Sequence, residues 1–178
     1  ALLIGVVLSL VLFLWKTMHP RIVRITKDPE LNMFLNADVY RKPSCPQILE
    51  LRPDNCIFFG NAEYTMEQLL SRLNEQKTPI KFLFLDFESI AFIDISGVDE
   101  LFGLLDELKA RKVEMAFINV HLPVKKVLES TNFLYMVGQD RMLGKMVDAI
   151  AYLFERLDHD YCRKVCPYKL FHECSTVK

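Results

Sequence analysis

Residues 80–108 read IKFLFLDFESIAFIDISGVDELFGLLDEL, and the apolar period changes partway along them. Ile80 to Phe87 is dense in large apolar side chains and predicts a strand buried on both faces, as in a sheet covered by helices. A short apolar stretch, Ile90 to Ile95, follows. Then Val98, Leu101, Phe102, Leu105 and Leu108 recur at helical spacing, opposed by Asp99, Glu100, Asp106, Glu107 and Lys109. Downstream, Val113 to Val120 predicts a strand and Leu122 to Ser130 a short helix. Leu143, Met146, Val147, Ile150, Phe154 and Leu157 predict a final long helix. Upstream, Met66, Leu69, Leu70 and Leu73 mark an amphipathic helix that begins near Ala62. Gln47 to Leu51 and Ile57 to Phe59 read as a hairpin around the turn-forming Pro53-Asp54-Asn55. Arg21 to Thr26 alternates like a short strand, and the stretch onward to Pro46, with Pro29, Pro43 and Pro46, reads as linker. Strands and helices alternate, which predicts an α/β sheet with some parallel pairs.

The charge is divided unevenly along the chain. Residues 1–27 hold Lys16, Arg21, Arg24 and Lys27 and no acid, giving +4; the other 18 basic and 23 acidic residues give −5. The net charge of −1 excludes a basic nucleic-acid binder. Residues 1–15, ALLIGVVLSLVLFLW, contain no charge at all. At about 1.5 Å per residue they reach roughly 22 Å, short of the ~30 Å hydrocarbon core, which predicts the end of a longer membrane helix. The start Met, basic leader and small-residue cleavage site of a signal peptide are missing from the run. Trp15 suits an interfacial anchor, and the cations that follow mark the cytoplasmic side.

Chemistry is expected where the apolar stretch meets the helix, at Phe92-Ile93-Asp94-Ile95-Ser96-Gly97-Val98-Asp99. Ser96 followed by Asp99 fits a helix cap, with Gly97 leaving the first turn uncrowded. Asp94 is harder to explain, since a carboxylate stands where an apolar side chain would be cheaper. There is no glycine-rich phosphate loop and no nucleophile–base pair, and no enzyme is expected.

Asp94-Ile95-Ser96-Gly97-Val98 resembles the signature loop of STAS domains, which are shared by bacterial anti-sigma factor antagonists and the cytosolic tails of SulP-type anion transporters. Ile95 departs from the hydroxyl residue the antagonists carry. Phe58-Phe59-Gly60-Asn61-Ala62 resembles the segment before the first helix of the transporter branch. The resemblance runs from about Arg21 to Leu157. It implies a mixed sheet of four to five strands with helices packed mainly on one face, preceded here by a partial transmembrane helix. It also implies a regulatory, dimerisation and interaction domain of a sulfate- or bicarbonate-like carrier. Its partners would be the transmembrane domain of its own chain, a second copy, and a cytosolic regulatory protein or nucleotide. The other reading is a membrane-tethered partner-switching protein of the antagonist type. In either case Asp94, Ser96 and Gly97 form the candidate regulatory loop, with Ser96 as phosphoacceptor, and Gly60 and Asn61 a candidate nucleotide or partner loop.

The domain boundaries expected are 1–15 for the membrane helix, 16–46 for the basic juxtamembrane segment with first strand and linker, 47–157 for the STAS core, and 158–178 for the tail. No cofactor is expected in the core. In the tail, Cys162, Cys166 and Cys174 with His172 or His159 form a candidate zinc set, although the spacing is not the usual Cys-x₂-Cys. Five cysteines, an odd number, argue against a disulfide framework. Cys45 and Cys56 are read as ordinary loop or strand residues.

Overall fold

The computed structural model describes residues 2–177. Ala1, the first residue of the expected membrane helix, and Lys178, the last of the tail, lie outside the described residues. The chain opens on α1 (Leu2–Met18), none of whose side chains is buried. No helix among the described residues is long and apolar enough to cross a membrane. The sheet is then built from β1 (Ile22–Asp28), β2 (Met33–Asn36), β3 (Ile48–Pro53), β4 (Phe82–Asp86), β5 (Glu114–Ile118) and β6 (Met142–Leu143). Its order is β2-β1-β3-β4-β5-β6. β1 pairs antiparallel with β2 and β3, while β3 to β6 run parallel.

Side chains of alternate strand residues face opposite ways, and both faces are covered. Leu49 pairs with Leu83 and Leu83 with Met115; Leu51 pairs with Leu85 and Leu85 with Phe117. This face packs against α3 (Ala62–Asn74), α4 (Ile95–Ala110), α5 (Leu122–Ser130) and α6 (Phe133–Val137), through residues such as Leu69, Leu101, Leu128 and Phe133. On the other face Ile48, Phe82, Phe84, Ala116 and Ile118 meet Ile150 and Leu153 of α7 (Met146–Leu153), and Leu170 and Phe171 of the tail.

Six strands form, where the sequence predicts four or five. β2 lies inside the proline-bearing stretch read as linker, where four residues followed by the one-turn helix α2 (Ala37–Tyr40) are too few to show a period. β6 takes Met142 together with Leu143, the first residue of the predicted final helix, which shortens to α7 and a 3₁₀ turn at Phe154–Arg156. The predicted hairpin does not form. β3 pairs instead with β1 and β4, and Ile57 makes only a lone parallel bridge to Ile93.

Buried carboxyl groups interrupt the second face, Asp86 at the end of β4 and Glu50 within β3. Glu50, on β3, is 4% exposed. Burial, and then the neighbouring Asp86 carboxylate, push it up to about 8 from the usual 4.5, against the pull of Arg52. The folded state therefore keeps a proton that the unfolded chain releases near 4.5. The contribution of Glu50 to stability is fully present below that pH, is lost as pH climbs to about 8, and levels off above it. Glu50→Gln keeps the shape and removes the charge. Urea unfolding at pH 5 and pH 9 is expected to show that the variant loses this slope and gains on the order of 2 kcal/mol over the parent at pH 9.

Candidate functional site

The Asp94–Gly97 loop lies at the carboxyl ends of the parallel strands. Asp94 is the N-cap of α4: one carboxylate oxygen accepts from the Gly97 amide at 2.9 Å. The other accepts from the Phe59 amide, also at 2.9 Å, 35 residues away in the chain. This explains a carboxylate after Phe92-Ile93. It satisfies an orphan donor of the helix and ties the β3–α3 loop to the β4–α4 loop. Ser96, read from sequence as a capping residue, is instead exposed inside the first turn, and Asp94 does the capping. Gly97 is required by packing. A Cβ there would stand 2.8 Å from Cγ1 of Ile93, 2.9 Å from Cγ2 of Ile57 and 3.3 Å from the Ile57 carbonyl.

Asn61 is buried at 1% exposure and its amide is used within the chain. Oδ1 accepts from the Phe58 amide at 3.0 Å; Nδ2 donates to the carbonyls of Cys56 at 2.9 Å and Thr17 at 3.1 Å. Asn55 donates to the same Thr17 carbonyl at 3.4 Å. Asn61 thus acts as a joint between the domain and the end of α1, leaving little capacity to bind a nucleotide. The next residues of the chain reinforce the joint. His19 stacks on Trp15 and packs edge-on against Tyr64. Arg21 donates from its backbone and its Nε to Asp54, both at 2.8 Å. A Cβ on Gly60 would stand 2.7 Å from the Phe58 ring. Around the loop, Phe59, Phe92 and Ile95 are exposed at 80%, 54% and 59%, giving an apolar rim beside Asp94.

A family model, STAS domain, matches residues 36–149. The chain belongs to the STAS family. Sulfate transporter 1.2 of Arabidopsis thaliana is 26% identical to this STAS chain over 168 residues, covering 89% of the chain and 26% of that protein. High affinity sulfate transporter 2 of Stylosanthes hamata is 27% identical over 159 residues, 84% of the chain and 24% of that protein. The chain therefore spans about a quarter of the curated relatives it matches. Among solved structures, murine Solute Carrier 26 family member A9, an anion transporter in the inward-facing state, superposes with a TM-score of 0.74 at 15% identity, over 86% of this chain and 25% of that one. A sulfate transporter family protein from Wolinella succinogenes gives 0.53 at 20% identity, over 68% and 97%. These structural matches show the STAS fold.

A second polar cluster at the same sheet end was not singled out from sequence. Asp86, fully buried, accepts from Arg52 Nε at 2.8 Å, Asn119 Nδ2 at 3.0 Å and the Glu88 amide at 3.0 Å. Arg52 also pairs with Glu88 at 2.6 Å. The cluster locks three strand ends together. A carboxylate closing the run FLFLD was its only sign in the sequence.

In the tail, the structure alters the expected donor set. Cys162 and Cys166, on and just after α8 (His159–Lys164), line one cavity with Cys174, but the fourth member is Cys45 and not His172. His172 is exposed, and His159 is hydrogen-bonded to the Phe154 carbonyl at 2.8 Å. Among the described residues no group of three or more His, Cys, Asp or Glu is arranged to hold a metal ion. The set Cys162, Cys166, His172 and Cys174 is thus not assembled as a zinc centre.

Two substitutions separate packing from capping at the loop. Gly97→Ala is expected to cost roughly 1–3 kcal/mol by crowding Ile57 and Ile93. Asp94→Ala is expected to cost roughly 1–2 kcal/mol by freeing the Gly97 and Phe59 amides. Thermal unfolding measures both. Hydrogen exchange at Phe59 is expected to quicken more in the Asp94 variant.

Proposed function

We propose that this STAS domain is the cytoplasmic regulatory module of a SulP-type anion transporter, hung from the transporter's last membrane helix. The observation that carries this reading is the joint at Thr17. An apolar helix with no buried side chain ends on two asparagine amides that belong to the signature-loop end of the domain. A movement of α1 along or about its axis must shift the 55–61 loop, and through Phe59 and Asp94 the start of α4. The likeness to plant sulfate transporters over most of the chain supports the same reading. Sulfate is the anion proposed.

The apolar rim of Phe59, Phe92 and Ile95 docks on the transmembrane domain of the same chain, because the loop that carries Phe59 also holds α1. Ser96 is the control point. Its hydroxyl is exposed at the first turn of α4, where a helix N-terminus favours a phosphate, and a phosphoserine would add up to two negative charges beside Asp94 and the apolar rim. Such a charge opposes apolar docking.

Cells expressing the full-length gene are expected to accumulate labelled sulfate. Asn61→Ala, which leaves the membrane domain untouched, is expected to lower that uptake roughly fivefold or more at equal surface expression. Unchanged uptake in the variant would remove the coupling role of the joint. Incubating the domain with lysate and ATP tests Ser96 separately, the expected result being a phosphopeptide that covers it.

A further inference from the structure

Four of the five cysteines, from three separate segments, meet on the second face of the sheet. Cys45 comes from the connection before β3, Cys162 from α8 and Cys166 from just after it, and Cys174 from the last 3₁₀ turn. With Leu157, Lys169, Leu170 and Phe171 they line a cavity of about 10 Å³, room for a single water molecule at most. No organic ligand fits between them, and the side chains are not arranged as a metal centre. Their meeting is fixed by the fold. Gln47 accepts from the Asp158 amide at 2.8 Å and donates to the Asp158 carbonyl and to Cys162 Sγ, each at 3.1 Å, while Leu170 and Phe171 are buried against the sheet.

Cys166 lines this cavity together with Cys45, Cys162 and Cys174. It is partly exposed and lies between the exposed Val165 and Pro167, within reach of a reagent in solution. We propose that Cys166 is a thiol-modification site that reacts with low-molecular-weight disulfides and then pairs with Cys45, stapling the tail to the start of β3. In the first step the Cys166 thiolate attacks a sulfur of glutathione disulfide. A protein–glutathione bond forms and one glutathione thiolate leaves. In the second, the Cys45 thiolate attacks Cys166 Sγ and expels the other glutathione. The two protons lost by the protein thiols end on the two glutathiones, so two protein thiols are oxidised and one glutathione disulfide is reduced. The staple closes a loop of about 120 residues, so it acts on the fold as a whole as well as on the tail. A single inducible pair is compatible with an odd cysteine count, because it is not needed for folding.

The second step has a pH signature. Burial pushes the Cys45 thiol up to about 12, and only its thiolate attacks. The rate of closure is expected to rise about tenfold per pH unit between pH 7 and 9.

The test equilibrates the whole chain in graded glutathione buffers, quenches with acid, alkylates the remaining thiols and maps non-reduced peptides by mass spectrometry. The expected result is a loss of two of the five thiols, with a Cys45–Cys166 cross-link that survives in Cys56→Ser and is absent in Cys166→Ser. Five free thiols at every ratio would overturn the proposal. So would a cross-link confined to tail cysteines with Cys45 left free, or one zinc per chain in protein purified without a metal-affinity tag.

Discussion

β4 is buried along its whole length, and a strand with no solvent side has to be covered twice. Leu83 and Leu85 face one way, Phe82 and Phe84 the other. The α3, α4, α5 and α6 helices suffice for the first side. The second has α7, within which the matched family region ends, and that one helix is too short to cover the large aromatic pair Phe82 and Phe84. The chain meets this by bringing Leu157, Leu170 and Phe171 back over the sheet. The tail is therefore part of the core. Its cysteines are brought together because the apolar residues between and beside them must reach Phe82 and Phe84.

At the other functional end, two side chains join elements far apart in sequence. Asp94 binds two amides and Asn61 three backbone groups. The two meet through the short segment Phe58-Phe59. A buried, fully engaged polar group is costly to disturb, so the path from α1 to α4 is stiff. Ser96 sits at the end of that path without taking part in it, as a surface residue able to accept a change without unfolding the loop.

The parts of this structure legible in sequence are those with a local period. The helix at Leu122–Ser130 has its predicted bounds, and the two-sided strand and the helix after Gly97 follow directly from residues 80–108. Short elements were not legible: Met33–Asn36 and Met142-Leu143 become strands only because a neighbour offers an edge. Asp94 was visible as an anomaly, but its second partner, Phe59, is a contact across the fold. Capping fell to Asp94 because the helix begins one residue before Ser96, a shift that propensity does not resolve. Cys45 carried no signal at all, since nothing in PSCPQ points to a tail that folds back beside it.

The two edges of the sheet are β2, four residues long, and β6, only two. Edges this short expose few free backbone donors and acceptors, which guards a sheet against growth by strand addition. A second copy of the domain thus has little ladder to extend. Contact between two such domains would then fall to side chains on their helical or tail surfaces, an arrangement that can separate and re-form without disturbing either sheet.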